Sequence, residues 1–407
     1  MSQAMRILIA ACLIYFLNVG ALYYGLSVVL KPLIEAMGWT RAQGTSGTTV
    51  YMLSMGLLGP VIAALIDRID VRKTVLVGST AVMLGSAVGY YTQSLLQFYI
   101  AMALMGFGAT AGSIIPMGQL ISRWFSARRG MAMGVLIASS GFGAFFVTSL
   151  FALVLERTGD WRILFAMMGA TAPFTIALAL LVLRNRPPVT ADVESTDDVS
   201  IASKARVYQS SLDWDLMAAL RTWPLWIIVA AFGTGILGLN LVTSQGILHL
   251  TDQGIGSVLA AATIGTMGLF SVAGRLGGGF FGDRLEPRFL LALALLCQAA
   301  GILVLLFTNR EAMVYVFALL CGVGFGLGIV TGPLMVANFF GAGSFARINA
   351  ATGVLTIGLT AFGPTVAGYA NDVLGSYTVV FVGFAVLASL LIIPVVLLKP
   401  PIPSTSQ

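Results

Sequence analysis

Charge is scarce in this chain. Of its 407 residues, 9% are Asp, Glu, Lys or Arg and 58% are hydrophobic, whereas a soluble domain carries roughly 25% charged residues. No soluble core accounts for that deficit over such a length, so lipid is the expected solvent. Histidine occurs once, as His249, and cysteine three times, as Cys12, Cys297 and Cys321. CxxC and HExxH spacings are missing, which argues against a metal site. The three cysteines fall within apolar runs and read as small packing residues, not as a disulfide framework. No carboxylate falls in the middle of any apolar run. A membrane-embedded enzyme would gather acids, histidines or a nucleophile–base pair in one zone. The sequence offers no such cluster, so the chain reads as a non-enzyme with no implied cofactor.

What is present is length of apolar run. A spanning helix needs about 20 mainly apolar residues, and about twelve such runs occur, near 7–30, 45–67, 73–92, 95–122, 130–155, 161–183, 223–248, 256–282, 289–308, 312–338, 347–370 and 376–398. A membrane β-barrel would show short alternating segments of ~10 residues, and these runs do not alternate. The expected fold class is therefore an all-α membrane protein of about twelve transmembrane helices. The first run has no small-residue cleavage site after a short apolar core, so it reads as a retained helix.

The basic residues set an expected orientation. With the N-terminus cytoplasmic, 16 of the 22 Lys and Arg residues fall in inside loops and 5 outside. A bias of this size places both termini in the cytoplasm of a plasma (inner) membrane. It also assigns the net charge of +6 to topology and anionic lipid, not to nucleic acid. The one basic residue in neither set is Arg275, in "SVAGRLGGGFFGDRL" (271–285).

The segment 185–221 breaks the pattern with "RPP", then the acidic "ADVESTDD". It reads as a flexible cytoplasmic linker between an N-terminal bundle, 1–184, and a C-terminal bundle, 222–407. The halves echo one another. Asp67 and Asp283 are 216 residues apart, as are Gly159 and Gly375, and Trp161 and Tyr377. Equal shifts at distant places indicate a duplicated six-helix unit, an arrangement found among secondary transporters with the substrate near the midplane.

The Asp-Arg hairpins in "ALIDRIDVRKTVL" (64–76) and "GFFGDRLEPRFLL" (279–291) resemble the cytoplasmic signature of the major facilitator superfamily. More narrowly, "GLSVVLKPLIEAMGWTRAQ" (25–43), "SRWFSARRGMAMGVLIASSGFG" (122–143) and "GRLGGGFFGDRL" (274–285) resemble the bacterial monocarboxylate transporters and oxalate–formate exchangers. The resemblance spans both halves. It implies two pseudo-symmetric six-helix bundles and transport of small organic anions by alternating access.

Arg275 then requires a reason. A charge in hydrocarbon costs at least about 2.5–3.5 kcal/mol on insertion scales. Three readings are open. Snorkelling toward Asp283 means a distance of roughly 12 Å along a helix, about twice the side chain's reach. A structural role would bind carbonyls or hydroxyls. An anion site would use the guanidinium to hold a carboxylate bidentately. In the resembled family the matching arginine contacts the substrate carboxylate. The oxalate exchanger adds a lysine in its eleventh helix, and 348–369 here has none. A dicarboxylate would leave one charge unpaired in low dielectric, so small monocarboxylates of the lactate or pyruvate type are expected.

Other polar residues in the runs complete the candidate set. Asn18, Tyr23 and Tyr24 lie in the first helix, with Lys31 at its outer end. By the resemblance, Tyr24 falls where animal members carry a lysine, and Ser271 where they carry a proton-bearing aspartate. Gln119 lies in the fourth helix; at Met117 bacterial relatives often have a tyrosine. Gln245 and His249 share a face of the seventh helix, and Gln245 falls where relatives place a histidine. His249 is the proton-coupling candidate, with a wet rim position as the alternative. Asp67, Arg68, Arg72, Asp283 and Arg284 form the candidate cytoplasmic gate, with orientation by charge as the competing role. The expected function is transport of lactate- or pyruvate-like acids by a monomer, coupled to proton symport. The alternatives are anion exchange of the oxalate–formate kind and a non-transporting membrane sensor.

Overall fold

The computed structural model describes residues 3–125, 129–184, 208, 210, 214–282, 284–308, 311–341 and 345–401, with the side chains of Ala63, Asp67, Arg129, Gly130, Glu311 and Ala346 left aside. Among the described residues every regular element is a helix. Eleven helical spans are long and apolar enough to cross a membrane: Gln3–Met37, Val71–Tyr90, Leu95–Trp124, Met131–Thr158, Arg162–Leu181, Trp223–Asp252, Ser257–Gly282, Pro287–Leu306, Ala312–Phe340, Arg347–Leu374 and Thr378–Leu397. The bent pair Arg41–Leu57 and Gly59–Ile66, angled by 42°, makes a twelfth. In chain order the bent pair is the second span, and the ordinals below follow that count. In lipid the backbone must satisfy its own hydrogen bonds, which is why long apolar runs become helices.

Proline and glycine mark where the spans break. Pro60, Pro116 and Pro364 each lie in the first turn of a helix that restarts after an interruption, at Leu58, Gly112–Ser113 and Ala361–Phe362. A missing N–H costs nothing in that turn. Pro333 instead lies inside the continuous helix Glu311–Phe340. The first span carries a different irregularity, a π-helical stretch at Asn18–Tyr24.

Two stretches separated by 216 residues repeat in detail. Gly38 and Gly254 both end a helix with positive φ, at 64° and 84°. The following amides close the same turn, Trp39 N–H to Ile34 O at 3.1 Å and Ile255 N–H to Leu250 O at 3.0 Å. Gly159 and Gly375 share φ of 67°, the left-handed conformation that only glycine adopts cheaply. Gly85 faces Leu104 and Met105, and Gly301 faces Leu320 and Cys321, the same neighbours shifted by 216. Arg72 donates to Leu180 O and Arg288 to Leu398 O, each at 2.7 Å, so equivalent arginines close the C-terminal ends of the sixth and twelfth spans.

Packing divides the chain into two compact units. The first comprises Met1–Ile201, Thr243–Leu269 and Ala361–Gly375, the second Ala202–Val242, Phe270–Thr360 and Ser376–Gln407. The first unit therefore includes the ends of the seventh and eleventh spans and the start of the eighth, which chain order assigns to the C-terminal half. Part of its core joins Ile7, Ile14, Ile62, Val75, Met117 and Leu136. In the second unit, the described residues near the end of the expected linker are hydrogen-bonded. Tyr208 N–H donates to Glu286 Oε1 at 3.0 Å, Ser210 N–H to Asn338 O at 2.8 Å and Trp214 N–H to Phe340 O at 3.0 Å. A short helix, Leu216–Leu220, follows with Asp215 as its cap. The acidic stretch 191–198 lies outside the described residues.

Candidate functional site

Arg275 lies in the second unit, about two-thirds of the way along the eighth span. Its position follows from glycine. A Cβ on Gly274 would run into Val323 O and approach Gly326 Cα to 3.0 Å; a Cβ on Gly326 would meet Ser271 O and Arg275 N. The eighth and tenth spans thus touch backbone to backbone at this level. Phe325, next to Gly326, is buried, and the Arg275 guanidinium carbon stands 5.5 Å from its ring centroid. That is a cation–π distance. The side chain is half-buried and turned toward the tenth span, while Leu276 and Phe280 occupy the exposed face. Ser271, one turn earlier, is buried. Of the glycines flanking Arg275, Gly278 faces Val330 and Gly282 faces Leu334, but Gly277 and Gly279 face open space and serve no close packing. Gly274→Val and Gly326→Val are expected to lower membrane abundance several-fold, since overpacking costs about 1–3 kcal/mol. Gly277→Ala is the matched control, with abundance at the wild-type level by fluorescence-detected size exclusion.

In the first unit the π-helical stretch of the first span presents Tyr23 and Tyr24, packed edge to face with centroids 5.1 Å apart. The stretch is crossed closely by the fifth span, where a Cβ on Gly20 would meet Gly143 O at 2.5 Å. Tyr23 lines a narrow cleft with Leu26, Ser27, Thr48, Tyr51, Met52, Thr243 and Ser244, while Tyr24 is buried. Asn18 is carried away from that cleft. It lines another, among Ser79, Thr171 and Thr175, with its amide against Gly112. Met117 is fully buried in the apolar core. Gln119 is half-buried, and its Oε1 is enclosed without a hydrogen bond.

The densest polar arrangement in the first unit was not in the sequence-derived set. Arg41 Nη2 lies 2.8 Å from Asp252 Oδ2 and 3.0 Å from Asp252 Oδ1. Asp372 receives the backbone N–H groups of Arg41 and Ala42, each at 2.8 Å. These are the first two amides of the helix Arg41–Leu57, so a carboxylate sits on orphan donors at the positive end of the helix dipole. Thr40 and Gln43 complete the terminus as a capping box. One turn below, Thr45 Oγ1 and Gln245 Nε2 both donate to Pro364 O, at 3.0 and 2.8 Å. Thr49 Oγ1 donates to Ala361 O at 2.7 Å. Gly368 makes room, since a Cβ there would press on Thr45 Oγ1 and the Arg41 carbonyl. The second, seventh and eleventh spans are thereby clasped at the Arg41 end. Gln245 is fully buried, tied to this clasp, and its Oε1 has no hydrogen bond. His249 is 4% exposed, so it is enclosed and the wet rim position does not apply. Lys31, 28% exposed, pairs with Glu35 at 4.0 Å.

At the other end, the hairpin residues are divided. Arg72 is engaged with Leu180 O. Arg68 is exposed, and Arg284, also exposed, stands 3.7 Å over the Phe280 ring. The Asp67 side chain and Asp283 lie outside the described residues.

The family model of the Major Facilitator Superfamily matches residues 11–356. Monocarboxylate transporter 13 of Bos taurus is 25% identical over 332 residues, covering 79% of this chain and 72% of its own length. Monocarboxylate transporter 2 of Homo sapiens is 23% identical over 387 residues, covering 89% and 79% respectively. Among solved structures, a bacterial homologue of the human lysosomal transporter Spinster, in an inward-facing and occupied conformation, matches with a TM-score of 0.72 at 16% identity and covers 96% of each chain. At that identity the likeness is one of fold.

Proposed function

Because the chain belongs to the major facilitator superfamily, whose members are membrane transporters with this multi-pass helical fold, we propose that it carries small monocarboxylates of the lactate or pyruvate type by alternating access. Arg275 binds the carboxylate. The observation that carries this reading is the setting of that guanidinium: an arginine within a span, at the level where Gly274 and Gly326 bring two spans together, 5.5 Å from the Phe325 ring centroid. A guanidinium offers a bidentate match to a carboxylate, and one cation suits one negative charge. The similarity to monocarboxylate transporters points the same way.

The carrier resides in the plasma (inner) membrane as a monomer with both termini cytoplasmic, and the bundles 1–184 and 222–407 rock about the substrate, joined by 185–221. With that orientation the Arg41 end is the outer end. The clasp of Arg41, Asp252 and Asp372 then keeps the outer side closed. Asp67, Arg68, Arg72, Asp283 and Arg284 act in the corresponding closure on the cytoplasmic side. Tyr23, Tyr24, Asn18, Gln119, Gln245, Ser271 and Met117 complete the proposed substrate set, with Tyr23 best placed because it lines a cleft.

Transport is coupled to proton symport, with His249 as the titrating group. Anion exchange is the second reading, favoured by one observation: the position one turn before Arg275 is Ser271, which cannot ionise. Proteoliposomes in weakly buffered medium separate the two. Lactate uptake accompanied by alkalinisation of the outer medium is the expected result, and His249→Gln is expected to suppress that signal. Lactate uptake without a pH change, dependent on internal anion, establishes exchange. No uptake of any small monocarboxylate overturns the proposed function.

A further inference from the structure

We infer that a basic pocket at the Arg184 end of the first unit binds the phosphate group of an anionic phospholipid. The inference goes beyond the proposed transport and does not depend on it. The pocket has a volume of about 470 Å³ and is lined by Gln3 and Arg6 of the first span and by Leu181, Val182 and Arg184 at the end of the sixth. Ligand sites have volumes of roughly 300–1,000 Å³. Arg6 and Arg184 are both exposed, and among the described residues neither pairs with a carboxylate. The partner of Arg184 is neutral: with the Gln3 amide turned oxygen-first, Arg184 Nε and Nη1 each donate to it at 3.2 Å. Among the described residues, two positive charges thus share one pocket with no negative one.

The frame of the pocket is fixed without help from the guanidiniums. Leu183 is buried in the same core as Ile7, Leu8 and Ala179. The N–H groups of Val182 and Leu183 donate to Leu178 O, at 2.9 and 3.2 Å. Trp124 Nε1, at the end of the fourth span, donates to Arg184 O at 2.7 Å. The spans themselves begin at Gln3 and end at Leu181, so the pocket lies at the boundary between lipid and water, where tryptophan is enriched.

That level and that charge select the ligand. Guanidinium donors match phosphate oxygens in pairs, and basic pockets between membrane helices bind lipid head groups. The apolar wall favours a lipid over a free ion. Leu181 is 83% exposed, and Ile9, Leu13 and Phe174 continue the exposed apolar surface along the same two spans. A soluble anion would leave Leu181 and Val182 uncovered, whereas acyl chains cover them. Orientation by charge accounts for arginines at this end of the spans, but not for their meeting around one pocket.

The test titrates the whole chain, purified and delipidated in detergent, with phosphatidylglycerol and counts bound lipid by native mass spectrometry. Phosphatidylcholine, whose head group has no net charge, and inorganic phosphate are the other arms. Wild-type protein is expected to prefer phosphatidylglycerol to phosphatidylcholine. Arg6→Gln/Arg184→Gln is expected to weaken phosphatidylglycerol binding roughly 10- to 30-fold, the scale of two basic contacts at an anionic surface. Arg6→Lys/Arg184→Lys, which keeps both charges, is expected to retain binding. Arg221→Gln/Lys399→Gln removes the same charge from the second unit and is expected to leave binding unchanged. Equal loss in both glutamine variants would assign the effect to overall charge and overturn the site, as would unchanged binding in Arg6→Gln/Arg184→Gln. Inorganic phosphate that displaces the lipid at equal concentration would make this a site for the free ion and overturn the lipid.

Discussion

Arg275→Ala is expected to abolish uptake of labelled lactate in proteoliposomes while the protein still reaches the membrane in normal amount. The reason is the size of the interaction. Truncating one partner of a desolvated, hydrogen-bonded charge pair costs about 2–5 kcal/mol, which is roughly two or more orders of magnitude in affinity. Abundance should survive because the local helix contact is made by Gly274 and Gly326. Arg275→Lys is the sharper variant. It keeps the charge but loses the planar fork and its bidentate geometry, and uptake is expected to remain crippled. Normal lactate uptake by the alanine variant would remove the carboxylate site from Arg275 altogether.

The second large effect concerns the clasp at the Arg41 end. Asp372→Asn removes the charge that sits on the first amides of the helix Arg41–Leu57, and Arg41→Ala removes the pair with Asp252. A half-exposed ion pair alone is worth about 0–1 kcal/mol, and a carboxylate at a helix N-terminus about 0.3–1 kcal/mol. Together, in an Arg41→Ala/Asp372→Asn variant, they amount to at most about 2 kcal/mol, a change of up to about 30-fold in a two-state balance. A cysteine in place of Thr48, below the clasp, reports that balance. Its labelling by an impermeant maleimide is expected to rise about tenfold in the double variant. Labelling at the wild-type rate would show that the hydrogen bonds of Gln245, Thr45 and Thr49 keep this end shut without the charges. Because a closed outer end must open once per cycle, the same variant should also change the uptake rate.

Several sequence readings changed meaning once neighbours were known. Gln245 and His249 share a face of the seventh span, as their spacing of four requires. Burial then made one a strut to Pro364 and the other an enclosed imidazole, not a rim residue. Asn18 and Tyr23 are five apart in the first span, and the π-helical stretch that begins at Asn18 sends them to different clefts. Met117, where relatives were expected to place a tyrosine, went into the core. Arg41 was legible only as a basic residue after Gly-Trp-Thr, because its two acidic partners lie 211 and 331 positions away. Nothing local marks such a pairing.

By itself the sequence determined the all-helical membrane class, the number and order of spans, and the duplication at an interval of 216. These follow from run length, from the requirement that backbone in lipid bond to itself, and from glycines whose positive φ no other residue holds cheaply. The scaffold recurs where the copies agree, at Gly38 and Gly254, Gly85 and Gly301, Arg72 and Arg288. The candidate chemistry sits where they differ: by the same interval Arg275 corresponds to Gly59 and Tyr23 to Leu239. Tertiary structure alone decided which polar groups meet. A side chain's role depends on its burial and on which distant helix faces it, and helical spacing fixes only the face of its own helix.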